Sequence, residues 1–368
     1  MASKVYFADL RAEVKRGLLD KIGELLDRVE LPKRIKPNGM VAIKLHFGER
    51  GNTAYVRPIF LRRICQRVKE LGGKPFLTDT NTLYGGSRSE AVSHITTAME
   101  NGFVFSVVGA PVIIADGLMG NASVRVPIEG KIYREVSIAH EIYYADSLIG
   151  VAHFKGHELS GFGGAIKNIG MGCASREGKL SQHSTLGPKV KKKECVGCET
   201  CVQWCAYGAI AIRGEVAFID PQKCVGCGEC IVICPQGAIQ IQWNEASPEF
   251  QRKMVEYAYG ALKNKGERVA FLNFITQVSP YCDCYGHSDA PIVGDVGILA
   301  SNDPVAIDQA SVDLVNAQPG SPNSPYTDGL PSGADKFRAV HREVDWEVQL
   351  AYGEEIGLGS REYELIKI

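Results

Sequence analysis

No apolar run in the chain approaches the roughly 18 residues that a membrane-spanning helix needs, so no membrane insertion is expected. Nor is there an excess of charge. The formal net charge is −1, and no global field draws the protein toward nucleic acid or an anionic membrane. The first ten residues, Met1 to Leu10, lack a long apolar core and already hold Asp9, so they do not read as a secretory signal. The expectation is a cytoplasmic protein, long enough at 368 residues for more than one domain.

What the chain has in quantity is cysteine, and eight of its twelve cysteines fall between Cys195 and Cys234. Clustering of that kind reads as metal binding rather than as a disulfide framework. The block holds two repeats, Cys195-x2-Cys198-x2-Cys201-x3-Cys205 and Cys224-x2-Cys227-x2-Cys230-x3-Cys234. This is the loop spacing that wraps three thiolates around a cubane, with the fourth cysteine of each repeat serving the other cluster. One [4Fe–4S] cluster would then use Cys195, Cys198, Cys201 and Cys234, and the second Cys224, Cys227, Cys230 and Cys205. The stretches that follow also match, Ala206-Tyr-Gly-Ala-Ile210 against Pro235-Gln-Gly-Ala-Ile239, with alanine standing where the first motif usually has proline. Two zinc knuckles would use thiolates as well, but zinc takes its ligands in pairs commonly separated by a longer span. Two adjacent cubanes make a one-electron relay, and such open clusters are oxygen-labile, so an anaerobic or microaerobic source is expected.

The flanks read differently. Arg11 to Val29 carries apolar residues at helical spacing (Val14, Leu18, Ile22, Leu25, Leu26, Val29), and Met40 to Leu45 is a short buried-strand run. Pro58 opens a helix to Leu71, Pro75 to Asp79 is the next strand, and Ser89 is placed to cap a helix to Asn101. Strands follow at Val112 to Ala115 and Leu148 to Phe154. Beyond Trp243 the rhythm resumes, with a helix over Phe250 to Lys263, a strand over Val269 to Phe274, and a helix from Asn302-Asp303-Pro304 to Val315. The expected fold class is α/β: a discontinuous domain with a largely parallel sheet, residues 1–187 and 246–368. Residues 188–245 would interrupt it as an inserted two-cluster ferredoxin domain of βαβ-type α+β structure.

Most of the chain thus lies outside the cysteine block, which implies a job beyond carrying electrons. Three glycine-rich neighbourhoods place polar residues just beyond strands, where α/β proteins bind ligands. They contain Lys44-Leu-His46-Phe-Gly48-Glu49; Thr78-Asp-Thr-Asn81 with Arg88; and His153-Phe-Lys155-Gly-His157 running on to Lys167, Cys173, Lys179 and His183. Lysines there favour an anionic substrate, and histidines could move protons. His94 and Cys65 read as core residues. The pair Cys282-Asp283-Cys284 could be metal ligands, a redox-active pair or two ordinary thiols; a reactive role needs lowered thiol pKa values, for which a nearby Lys or His is the usual device.

The segments Lys44-Leu-His46-Phe-Gly48-Glu49, Thr78-Asp-Thr-Asn81, Ala165-Ile-Lys167-Asn168, Met171-Gly-Cys173, Cys282-Asp-Cys284 and Asp303-Pro-Val-Ala-Ile-Asp308 resemble the family termed domain of unknown function 362, often fused to a two-cluster ferredoxin. The resemblance spans nearly the whole chain and implies an iron–sulfur protein of anaerobic bacteria or archaea. The expected function is a ferredoxin-linked reductase. A redox partner protein would supply or take low-potential electrons, and a small anionic substrate, thiol or metal centre would sit among His46, His153, Lys155, His157, Lys167, Cys173, Cys282 and Cys284. The alternatives are a dedicated carrier docking to a partner enzyme, and a protein that delivers a cluster or metal.

Overall fold

The short apolar runs become strands because their side chains alternate between two buried faces. A computed structural model describes residues 2–368. Eight strands form one sheet: β1 (Ser3–Asp9), β2 (Met40–Lys44), β3 (Lys74–Asp79), β4 (Val112–Ile114), β5 (Ser147–His153), β6 (Val269–Ile275), β7 (Gly297–Ser301) and β8 (Tyr363–Lys367). Their order is β8-β1-β7-β6-β5-β2-β3-β4. Neighbours are parallel except at β7, which runs antiparallel to both β1 and β6. The fold is mixed α/β with a mostly parallel central sheet, and strands from both sides of the cysteine block share it.

Helices cover both faces. On one side α1 (Leu18–Arg28), α2 (Pro58–Glu70) and α3 (Ala91–Glu100) bury Leu25, Leu61, Ile64 and Ala98 with Val41, Ile43 and Leu77 of the sheet. On the other, α4 (Ala165–Gly170), α5 (Arg176–His183), α6 (Ser247–Leu262) and α7 (Pro304–Asn316) flank the sheet, and Ile166, Ile169, Met254, Ala306 and Ala310 pack with Ala42, Leu148 and Phe271. Each fully buried Leu, Ile or Phe contributes about 1.5–3 kcal/mol. No helix among the described residues is long and apolar enough to cross a membrane.

Two boundaries differ from the sequence pattern. The first helix begins at Leu18, not Arg11: Glu13 and Arg16 bridge each other, Val14 is fully exposed, and the Asp20 carboxylate accepts the Gly17 N–H at 2.9 Å. Glu90 rather than Ser89 caps α3, its carboxylate accepting the Val92 and Ser93 N–H groups at 2.7 Å each. The longer carboxylate side chain at the extended N-cap outcompetes the hydroxyl one residue earlier, which donates instead to the Gly86 carbonyl.

One buried carboxylate ties the two flanks together. Asp308, on α7, accepts the Ala165 and Ile166 N–H groups at the start of α4 (2.7 and 2.9 Å) and the Asn273 amide from β6 (2.7 Å). Gly164 is required beside it, since a Cβ there would stand 2.2 Å from the Asp308 Oδ1. Asp308→Ala strands three buried donors at once, and chemical denaturation should show a loss of about 3 kcal/mol. A variant as stable as the parent would mean that the carboxylate does not anchor α4.

Candidate functional site

Strands β2, β3, β4, β5 and β6 point the same way, so the loops after their carboxyl ends meet at one edge of the sheet, the usual ligand edge of an α/β fold. Two buried carboxylates organise that edge. Asp79, closing β3, pairs with Lys44 at 3.0 Å and lies 3.7 Å from Arg88 and 3.8 Å from the His94 Nε2. Burial alone would raise its carboxyl, but Lys44, then His46, His94 and Arg88, outweigh that and hold it well below the usual carboxylate range. Arg88 also donates to Glu49 (3.1 Å) and to the Tyr84 hydroxyl (3.0 Å), and Tyr84 donates in turn to the Cys284 carbonyl at 3.2 Å.

Asp283 is the second carboxylate. Its Oδ1 meets the His153 Nδ1 at 2.8 Å and its Oδ2 pairs with Lys155 at 3.3 Å. Burial raises its carboxyl, and His153 and Lys155 outweigh that and hold it low. The His153 Nε2 faces the Thr276 carbonyl at 2.9 Å. Both ring nitrogens thus face acceptors, an arrangement that the doubly protonated ring satisfies. With Asp283 fixed, the thiols on either side of it are fixed too. Their sulfurs stand 3.0 Å apart, Lys167 on α4 lies 3.4 Å from the Cys282 sulfur, and the His46 Nε2 lies 3.5 Å from that of Cys284. The Cys282 S–H directed at Cys284, aided by His46 and Lys167, holds the Cys284 thiol well below its ordinary value despite burial. The same contact and burial push the Cys282 thiol up. Burial would lower the Lys167 ammonium, but the two sulfurs outweigh it and raise it.

Two neutral histidines close the site. The His157 Nδ1 accepts the Leu159 and Ser160 N–H groups (3.2 Å each), and burial, then Lys167, depress its pKa well below the ordinary value. His183, at the end of α5, is pushed down to about 3 by burial; its Nδ1 is buried without a partner, and the ring lies against Trp243 and Phe250 at 4.8 and 4.9 Å.

The cysteine block stands apart, with a small core of its own that Leu83 and Leu180 of the surrounding chain enter. Its cysteines line two hollows. One is bounded by Cys205, Cys224, Cys227 and Cys230, with Cys201 on its wall; the other by Cys195, Cys198, Cys201 and Cys234. The two repeats share backbone detail. Glu199 and Gly228, each one residue after the second cysteine, both adopt left-handed φ values, 63° and 76°. Ala209 and Ala238 each donate an N–H to the fourth sulfur of their repeat at 3.3 Å. Among the described residues no group of three or more His, Cys, Asp or Glu side chains converges as around a single ion.

A family model described as Domain of unknown function (DUF362) matches residues 41–313, which include the strand-end loops, the thiol pair and the cysteine block. The chain belongs to the DUF362 family. No curated protein matches this DUF362 chain. Among solved structures it is similar to the lactate racemase apoprotein of Thermoanaerobacterium thermosaccharolyticum, at 14% identity and TM-score 0.39 over 74% of this chain and 51% of that one. A Thermotoga maritima protein matches at 8% identity and TM-score 0.33 over 72% and 52%. The DUF362 chain spans about half the length of each.

Of the residues singled out in the sequence, His46, His153, Lys155, Lys167, Cys282 and Cys284 meet directly or through Asp283, and His157 lies beside them. Cys173 does not join the pair: it is sealed in the hydrophobic core, with its thiol pushed up to about 12 by burial, as is that of Cys65. Tyr84 and the ion pairs of Asp283 had no sequence signal beyond adjacency, Tyr84 to Gly85-Gly86 and Asp283 to its two cysteines. Burial depresses His183 from the ordinary 6.5 to about 3, so the unfolded chain takes up that proton first as pH falls. The stability held by its neutral ring is full above pH 6.5 and drains away toward 3. His183→Phe keeps the packing against Trp243 and Phe250 and removes the titration. Denaturation at a series of pH values should give an acid limb shallower by up to about 1.4 kcal/mol per pH unit, and an unchanged limb would contradict the burial of this ring.

Proposed function

We propose that this protein is an iron–sulfur electron-transfer protein acting as a ferredoxin-linked reductase, with residues 188–245 a two-cluster ferredoxin-type domain inserted between residues 1–187 and 246–368. The observation that carries the reading is the pair of hollows: one lined by Cys195, Cys198, Cys201 and Cys234, the other by Cys224, Cys227, Cys230 and Cys205 with Cys201 also on its wall, so that each joins thiols of both repeats. The donor set suits the group: thiolates alone, with backbone N–H groups directed at the sulfurs of Cys195, Cys205 and Cys234. Cys195, Cys198, Cys201 and Cys234 would hold one [4Fe–4S] cluster, and Cys224, Cys227, Cys230 and Cys205 the other. Bound there, the clusters supply one-electron transfer with a low-potential partner protein.

The chain's own residues support a terminal site next to that block. Leu83 enters the small core of the cysteine block while its neighbour Tyr84 bonds the Cys284 backbone, so one dipeptide touches both places. Helix α5 does the same from the other side, with Leu180 in that core and His183 at the aromatic wall near Lys167. At the terminal site Lys167 holds negative charge beside Cys282, His46 donates to Cys284, and the paired cations around Asp79 and Asp283 fix the loops. A small anionic substrate or a thiol-type acceptor suits that environment.

Anaerobically purified protein should hold about eight irons and eight acid-labile sulfides. Cys195→Ser and Cys234→Ser should erase the same spin-resonance signal, and Cys205→Ser should erase that lost with Cys224→Ser. Zinc in place of iron, or loss pairing within a repeat, would overturn the assignment. Reduction of an acceptor that survives Cys282→Ser and Cys284→Ser would make the protein a plain carrier.

A further inference from the structure

We propose that Cys282 and Cys284 form a reversible dithiol–disulfide pair, a two-electron centre in which Cys284 is the exchanging sulfur. The inference rests on the redox reading above and names the chemistry of its terminal site. The sulfurs, 3.0 Å apart, need to close by only ~1 Å to reach an S–S bond. They are carried on either side of Asp283, whose carboxylate is pinned by His153 and Lys155, so the pair cannot drift apart without breaking a buried ion pair.

The donors around them favour a thiolate. The His46 Nδ1 accepts the Gly48 N–H at 2.9 Å, which leaves its Nε2 as the protonated nitrogen facing Cys284. The Cys284 N–H points to the Cys282 sulfur at 3.4 Å, and the Lys167 ammonium stands at the same distance from it. Access separates the two roles: Cys282 is 2% exposed, whereas Cys284 is partly exposed. Cys65 and Cys173, sealed in the two cores, have neither feature.

The step balances on these atoms. In reduction the S–S bond breaks, two electrons and one proton enter, and the products are the Cys282 thiol and the Cys284 thiolate. Oxidation reverses each item. The electrons arrive singly from two equivalents of a low-potential one-electron carrier of the ferredoxin class, and the pair stores them for an acceptor that takes two.

The test is a thiol redox titration of the full chain, purified anaerobically. Protein is equilibrated in graded mixtures of reduced and oxidised dithiothreitol, quenched in acid, alkylated, and read by peptide mass spectrometry. The peptide carrying Cys282 and Cys284 should pass between a form lighter by two hydrogens and a doubly alkylated form along a two-electron curve, with Cys65 and Cys173 unchanged. Lys167→Met should slow alkylation of Cys284 by about tenfold when the rate is compared at a pH below the thiol's own pKa, where the thiolate fraction follows the pKa directly. Two thiols alkylated at every ratio, or a disulfide from Cys284 to any other cysteine, would overturn the proposal. Iron and labile sulfide measured on the same samples keep the two readings apart. A reversible pair on iron-free protein would sink the cluster reading alone, and an inert pair on iron-loaded protein would sink this one alone.

Discussion

Asp283 brings a negative charge into the protein interior, and the two side chains that meet it, His153 and Lys155, decide where Cys282 and Cys284 stand. An unpaired carboxylate at that depth would take up a proton or open the loop; His153 and Lys155, both rising from the end of β5, prevent either. Losing one partner of such a pair costs about 3–5 kcal/mol. The position of the thiols is therefore set by charge, and through β5 by the sheet itself. Asp79 plays the same part for the loops after β2 and β3, with Lys44 and Arg88 as its partners, and Arg88 carries the constraint on through Tyr84 to the Cys284 backbone.

This scaffold explains why two neighbouring cysteines differ. Cys282 and Cys284 share one loop, one carboxylate and nearly one location, yet their thiols shift in opposite directions. A single S–H lies between the two sulfurs; whichever sulfur lacks the proton is stabilised by it, and His46, whose Nε2 faces Cys284 at 3.5 Å, favours Cys284. Cys173 illustrates the converse. Lys44 is among its neighbours, but the thiol is sealed in the core without water, and desolvation wins. A basic neighbour is not sufficient to make a thiol reactive; the donor has to be aimed at the sulfur.

Much of the fold was legible because its signals are local. β2, β3, β5 and β6 read as apolar runs, and α2 and α7 announce themselves by Pro58 and by Asp303-Pro304, with boundaries within a residue or two of those found. The error at α1 is instructive: Val14 continues the apolar spacing by coincidence, and the Glu13–Arg16 bridge takes the chain out of the helix before Leu18. β1 and β8, adjacent in space though more than 350 residues apart, carry a half-buried pattern that nothing nearby completes. The site followed the same rule. His46, Lys155, Lys167 and the C-x-C pair stood out by residue type beside glycine. Asp79 as the counter-charge of Lys44, Asp283 as that of His153 and Tyr84 as a bridge depend on contacts across 35 to 200 residues, which spacing does not encode.

The neighbourhood between the cysteine block and the thiol pair is where these threads meet. Gly228, placed where the first repeat has Glu199, leaves room that its counterpart would fill: a Cβ at Gly228 would come within 3.2 Å of Arg176 and 3.3 Å of Leu83. Arg176 is fully buried and donates to the Thr82 carbonyl at 3.3 Å, as well as to the carbonyls of Met119 and Ser89, so it clamps the loop that carries Leu83 and Tyr84 against the second repeat. The first repeat, which tolerates Glu199 in the same left-handed conformation, has no such clamp at that position. The two hollows are thus inequivalent in their surroundings despite their matched spacing. Leu83, which lies against Gly228 of the second repeat, belongs to the loop that reaches the thiol pair.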